Sequence, residues 1–320
     1  MPFLNKNDRT VPNWQKNHYL QTIVPYYFRA VGKVIYKRER ISTPDDDFLD
    51  LDWSTVGSTR LGIVIHGLEG DSSVQHIKGF ISAFNQNKID GLALNLRGCS
   101  GEPNLKPFAY HAGVTNDLRT VVEHAIHKKY EEIYLIGVSL GGNICLKYMG
   151  EHPATIPTQI KKAVAFSVPI HLSSSCDEIV KPHNSLYHHR FMRSMKANIR
   201  KKAKSFPEVD TRFLKKVKTI KDIDDGFTAP MFGFKDAEDY YAQNSSINFI
   251  ANIQRPTLLV NAQNDTFLSN LCYPVSLARD NPCFYFEQPQ TGGHVGFGKT
   301  MKNGMKWAEW RAMEFLLKDV

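Results

Sequence analysis

With 320 residues, 42% of them hydrophobic and 22% charged, the chain is long enough for one large α/β domain with an insertion, or for two modest domains. This composition excludes a fibrous or disordered chain, and apolar runs such as Ile63-Val64-Ile65 are far too short to span a membrane. The net charge of +8 is uneven, because residues 181–221 hold thirteen Lys and Arg against only Glu208 and Asp210.

Such a basic block attracts nucleic acid, anionic lipid or acidic substrates, or simply forms a solvated helical surface. Few aromatics interleave with its charges, so no nucleic-acid partner is expected, while peripheral contact with an anionic membrane surface stays open. The opening Met1-Pro2-Phe3-Leu4-Asn5-Lys6 lacks the apolar run of a signal peptide. Five scattered cysteines, with no C-x-x-C pair, argue against a disulfide framework. Together these features predict a cytoplasmic protein.

In chain order, alternation over 33–55 around Pro44-Asp45-Asp46-Asp47 predicts an antiparallel hairpin. Short, wholly apolar runs then alternate with helical stretches. Strands are expected at 62–66, 91–95, 133–136 and 162–167. Helices are expected at 74–87, at 115–130 with Thr115-Asn116-Asp117 as its cap, and at 140–151. The rhythm breaks over 170–230, where helices at 185–204 and 211–222 are expected. It resumes with strands 257–260 and 284–286 and helices near 270–279 and 303–318. Alternating apolar strands and helices imply a mostly parallel sheet covered on both faces. The expected organisation is a core of 1–169 and 231–320, with 170–230 a helical lid over the strand ends, where open parallel sheets bind ligands.

Gly137-Val138-Ser139-Leu140-Gly141 follows a strand and opens a helix, which is the context a nucleophile elbow requires. A side chain at Gly137 or Gly141 would collide with the neighbouring strand or helix. Ser139 then sits at a helix N-terminus, where the dipole favours developing negative charge. A serine hydroxyl needs a base, and His294 lies in a glycine-rich loop after the last strand. Asp265, just past strand 257–260, is the candidate orienting acid. The chain order Ser139, Asp265, His294 is that of the α/β-hydrolases. An oxyanion needs two backbone N–H donors. Leu140, after the nucleophile, is one candidate; Leu68, in His66-Gly67-Leu68-Glu69-Gly70, is the other.

Two other patterns compete. His66 and Asp71 match H-x-x-x-x-D, and are read here as the oxyanion turn plus a cap for the next helix. Residues 293–300 match the P-loop pattern, but too few residues follow for the remaining sheet of an NTPase. His188-His189 and the pair His124, His127 lack partnering ligands, so no metal and no cofactor are expected.

At these motifs the chain resembles the YheT-like branch of the α/β-hydrolases, bacterial esterases related to plant embryogenesis-associated hydrolases and animal abhydrolase-domain lipases. The matching stretches include Asn17 to Ile23, His66 to Gly70, Asn95 to Asn104, Tyr110 to Gly113, Gly137 to Asn143, Asp224 to Pro230 and Gly292 to Phe297. The resemblance implies a serine carboxylesterase or lipase acting on acyl esters through the same Ser139, Asp265 and His294, without a metal. It departs at Asn264-Asp265-Thr266, where similar proteins often carry two consecutive acids, which leaves Asp265 as the triad acid. Arg97 and Asn104 are expected to be structural. Two alternatives stay open: an alcohol O-acyltransferase using the same triad, and a non-catalytic binding protein on this scaffold.

Overall fold

Short Ile/Val/Leu runs bounded by turn residues become buried strands, and the amphipathic stretches between them become the helices that cover them. A computed structural model describes residues 3–4, 17–29, 31–298, 301 and 304–318. Most of the opening segment read for a leader, the Lys299-Thr300 end of the P-loop pattern, and Asn303 lie outside the described residues.

β1 (Phe3–Leu4) and α1 (His18–Phe28) precede the expected hairpin, β2 (Lys37–Ser42) and β3 (Phe48–Ser54). β3 is buried along its whole length. Its carboxylates Asp50 and Asp52 are matched across the ladder by Arg40 and Arg38, each pair bonded through two oxygens at 2.7–2.8 Å.

The alternation that follows is β4 (Arg60–Ile65), α2 (Gln75–Gln86), β5 (Asp90–Asn95), α3 (Thr115–His127), β6 (Glu132–Val138), α4 (Leu140–Glu151) and β7 (Ile160–Phe166). Thr115, Asn116 and Asp117 do not cap α3: they form its first turn, behind Val114. Thr115 instead bonds Glu151, and Asp117 pairs with Arg97. Nor does Asp71 cap α2. Its carboxylate accepts the Ser73 N–H in a turn that ends before the helix, whose cap position is Val74.

From Ser167 to Pro256 there is no strand. The segment holds α5 (Leu172–Ile179), α6 (Ser185–Ser205), α7 (Ile220–Ile223), α8 (Ala229–Phe232) and α9 (Ala237–Asn244). A π turn, Asp224–Thr228, joins α7 to α8. The single helix expected at 211–222 is broken. A 3-10 turn at Arg212–Lys215 ends, and Thr219 starts α7 afresh through a reciprocal capping box with Asp222. The helical run also continues beyond 230, through α9 and two 3-10 turns to Asn252. β8 (Thr257–Val260), α10 (Val275–Asp280), β9 (Phe284–Glu287) and α11 (Trp307–Leu317) complete the chain.

The strands form one nine-stranded sheet in the order β1-β9-β8-β7-β6-β4-β5-β3-β2. Pairing is parallel from β1 to β5, and β3 and β2 add antiparallel. Alternate strand residues feed two cores. Ile63, Ile65, Leu135 and Ala165 pack with α3 and α4, whereas Val64, Ile136, Val164 and Val260 pack with α2 and α11. The segment after β7 has a third core, centred on Met192, Ile199, Leu214, Ile223 and Phe227. Because β5 lies on one side of β4 and β6 on the other, the winding reverses at β4 and β6. That opens a crevice at their carboxyl ends, the usual ligand position in such sheets.

Candidate active site

Ser139 stands at this crevice, between the end of β6 and the start of α4. Its φ of 54° and ψ of −122° form a strained corner, tolerated because strand and helix over-determine it. A Cβ on Gly137 would lie 2.4 Å from the Gly141 carbonyl oxygen, and one on Gly141 would lie 2.4 Å from that of His66. Both positions therefore exclude side chains, as the sequence indicates.

The turn after β4 leans on Ser139: a Cβ on Gly67 would stand 3.0 Å from the Ser139 Cβ. The turn is closed by Gly70 N–H donating to the Gly67 carbonyl, 3.1 Å. His66 holds it from beneath. Its Nε2 accepts the Leu96 N–H at 3.1 Å, so the proton sits on Nδ1, which donates to the Gly67 carbonyl at 2.8 Å. Burial pushes the His66 pKa down to about 4, in keeping with this neutral tautomer. His66 is thus a clamp on the turn. Leu140 is the first residue of α4, where an N–H has no intrahelical acceptor, and Leu68 and Leu140 line the same cavity as Ser139 and His294.

His294 meets Ser139 from the loop after β9. Its Nε2 lies 3.0 Å from Ser139 Oγ, and its Nδ1 lies 2.9 Å from Asp265 Oδ2. Asp265 is buried, and its other oxygen accepts the Phe267 N–H at 3.0 Å. The Phe267 ring stacks on the imidazole, centroids 4.3 Å apart. The three residues singled out in the sequence are therefore brought into one hydrogen-bonded line.

Several residues that carry this geometry escaped the sequence reading. Asn264 Oδ1 accepts the N–H groups of Gly292 and Gly293, each at 2.9 Å. Gln21 on α1 accepts from Gly292 at 2.8 Å and from the Asn264 amide at 3.0 Å. Thr22 Oγ1 accepts the His294 N–H, and Ser167 Oγ accepts that of Val295, both at 3.0 Å. The His294 loop is thus tied to three distant parts of the chain. The single available signal was the Asn17–Ile23 stretch, whose Asn17 caps α1.

Arg97 and Asn104 brace the loop after β5. Arg97 grips Asp117 through two bonds at 2.7 and 2.9 Å and also pairs with Asp45 and Asp47. Asn104 bonds Gly98 N–H, Asp47 and the Phe48 carbonyl. Asn143 ties α4 to Ala112, Asn244 and Ser246.

Two cavities meet at Ser139 and His294. The larger, about 170 Å³, runs beneath the helical segment along Leu172, Ile179, Met195, Ile199, Ile223 and Phe227. The smaller, about 110 Å³, runs toward Thr22, His76, Tyr187 and Arg190. Among the described residues no group of three or more His, Cys, Asp or Glu converges to hold a metal ion, and no helix is long and apolar enough to cross a membrane.

Residues 63–299 match the α/β-hydrolase fold family. The chain is 32% identical over 313 residues to YheT of Escherichia coli (strain K12), covering 94% of this chain and 90% of that protein. It is 30% identical over 304 residues to human phospholipase ABHD3, covering 87% and 70%. Among solved structures, the Pyrococcus furiosus esterase Pf2001 superposes with a TM-score of 0.57 at 19% identity, over 97% of this chain and 98% of that one. The sheet order, the strained serine corner and these similarities converge: the chain belongs to the α/β-hydrolase family, in its YheT-like branch of ester hydrolases.

Proposed function

We propose that the protein is a serine carboxylesterase, with Ser139 as nucleophile, His294 as general base and acid, and Asp265 as the orienting carboxylate. The observation that carries this reading is the line Asp265–His294–Ser139, with its spacings of 2.9 and 3.0 Å. Asp265 accepts a hydrogen bond from Nδ1–H, which leaves the Nε2 lone pair toward Ser139. Ser139 Oγ attacks the ester carbonyl while His294 takes its proton. The oxyanion is held by the Leu68 and Leu140 N–H groups. His294 then protonates the departing alkoxide, releasing the alcohol. Water attacks the acyl-enzyme with the roles reversed, freeing the acid and restoring Ser139.

The larger, apolar cavity suits an acyl chain, in line with relatives named phospholipase and monoacylglycerol lipase. In this reading 1–169 and 231–320 form the catalytic core and 170–230 is a lid. Its basic stretch 181–221 faces an anionic membrane surface, beside the exposed apolar side chains of Val180 and Leu186. The five free cysteines fit a reducing, cytoplasmic setting.

The test is p-nitrophenyl ester hydrolysis by parent and Ser139→Ala, where a loss of about 10⁴-fold or more is expected. Equal turnover would overturn the reading. Ester synthesis outrunning hydrolysis when glycerol or ethanol is added would identify an acyltransferase, and failure of Ser139 to react with a fluorophosphonate would indicate a binding protein.

A further inference from the structure

Glu69 has no part in the reaction above, yet its surroundings are unusual for a carboxylate. It belongs to the turn that carries Leu68, and its backbone is held at φ +56°, a region that non-glycine residues rarely occupy. Its side chain lines both cavities beside Ser139 and His294. It does not point to solvent but is held by three donors. Two of them, Ser194 Oγ and Asn198 Nδ2 (the latter at 2.6 Å), come from α6 and share Glu69 Oε2. The third, the Tyr110 hydroxyl, donates to Oε1 at 3.2 Å and itself accepts the Glu69 N–H at 2.8 Å. A neighbouring contact runs the same way: Leu68 packs its side chain into the third core, against the residues of α6 and α7.

We propose that Glu69 is a positioning residue through which seating of α6 sets the Leu68 N–H for catalysis. The inference rests on the reading of Leu68 as an oxyanion donor. With α6 seated, the turn is fixed at three places: by His66 beneath, by Tyr110 at the side and by α6 above. When α6 lifts, Glu69 loses Ser194 and Asn198 together, and water replaces them. Tyr110 and the His66 clamp then remain, without the ties from above, on a backbone whose positive φ at Glu69 favours relaxation. Leu68 leaves its position, and the oxyanion hole opens with the cavity. The helical segment thereby does more than cover substrate: hydrolysis proceeds at full rate only while α6 is docked. Burial raises the Glu69 pKa, which is consistent with a carboxylate whose fit depends on the donors α6 brings.

The test uses p-nitrophenyl acetate, whose acyl group is too short to need the apolar cavity. Turnover is expressed per mole of folded protein, checked by circular dichroism. Glu69→Ala is expected to lower kcat about tenfold or more with KM within about twofold, since one misplaced oxyanion donor costs about 10² to 10³ in kcat. The α6 double variant Ser194→Ala/Asn198→Ala, which leaves the turn's own residues intact, is expected to reproduce most of that loss. Combining it with Glu69→Ala should add little, because both remove one link. Glu69→Gln, which keeps an acceptor of the same length, should restore kcat to within a few-fold of parent. If Glu69→Ala fails to fold, the α6 double variant carries the test alone. A kcat within twofold of parent in that double variant, with Ser139→Ala inactive, overturns the coupling and leaves the esterase reading standing. Residual full activity in Ser139→Ala overturns the esterase reading itself.

Discussion

The carboxyl end of the sheet and the helical segment above it solve different problems with different materials. At the sheet end, Ser139, the Leu68 turn and His294 are fixed by close backbone packing and by side-chain ties to the backbone: a corner forced by Gly137 and Gly141, a turn clamped by His66, and a loop tied by Asn264, Gln21, Thr22 and Ser167. The strands beneath are almost wholly buried. The helical segment has a small core of its own, one long helix, α6, among short ones, and a surface dense in Lys and Arg. It reaches the cavity at Ser139 and His294 through apolar walls and through Glu69. On the proposed mechanism, the bond broken is set by the sheet end and the ester admitted by the helices. Changes on the two sides should therefore separate kinetically.

The largest effects belong to the sheet end. His294→Gln and Asp265→Asn should each lower kcat by about 10⁴-fold without unfolding the chain, read by ester turnover beside circular dichroism. Arg97→Met should spare the reacting groups but leave Asp117 and Asp47 buried without their cation, at a cost of about 3–5 kcal/mol in denaturant unfolding.

Titration should set the two regions against each other. Burial holds His66 down to about 4 and His76 and His111 down to about 3. The unfolded chain binds these protons first, so their stabilisation is complete above about pH 6.5 and is lost as pH falls toward 4 and 3. Asp224, on the π turn of the helical segment, runs in the opposite sense. Burial raises it to about 6, so its contribution is complete below about pH 3.8 and is lost as pH rises through 6. Each group shifts stability by up to about 1.4 kcal/mol per pH unit within its window. Melting of the parent should fall steeply below pH 6.5, and the stability of Asp224→Asn relative to parent should improve from pH 4 to pH 7. A relative stability that is flat across that range would contradict the assignment.

Smaller still is the expected cost of Asn264→Ala, about tenfold in kcat, because Gln21 still holds Gly292. Least of all, Arg193→Glu/Arg200→Glu on exposed α6 positions should leave kcat on a short soluble ester within twofold, while weakening co-sedimentation with anionic liposomes. Sedimentation indifferent to lipid charge would remove the membrane contact.

Much of the sheet end was legible in the sequence because its determinants are local. Ser139, Asp265 and His294 each follow a strand by a few residues, and short, almost wholly buried apolar runs mark those strands. The errors arose where a local signal met a tertiary partner. Thr115 and Asp117 read as caps, but Glu151 and Arg97 claim their side chains. Asp71 read as a cap, but it closes a turn one step earlier. The expected helix at 211–222 is interrupted by the capping box of Thr219 and Asp222. The bonds made by Asn264, Gln21 and Ser167 could not be read for a further reason: each acts on the His294 loop from far along the chain, and no period or spacing encodes such a bond. Within 170–230, α6 could be read from its length, but its hold on Glu69 could not.

The central claim is that Ser139 becomes acylated. Mass spectrometry of the protein quenched during turnover of a p-nitrophenyl ester tests this most directly. The account predicts an added mass of one acyl group on the peptide holding Ser139, absent from Ser139→Ala and accumulating in Asp265→Asn no faster than its slowed turnover. Undiminished turnover with no acyl group on Ser139, or with the acyl group on another residue, would contradict it.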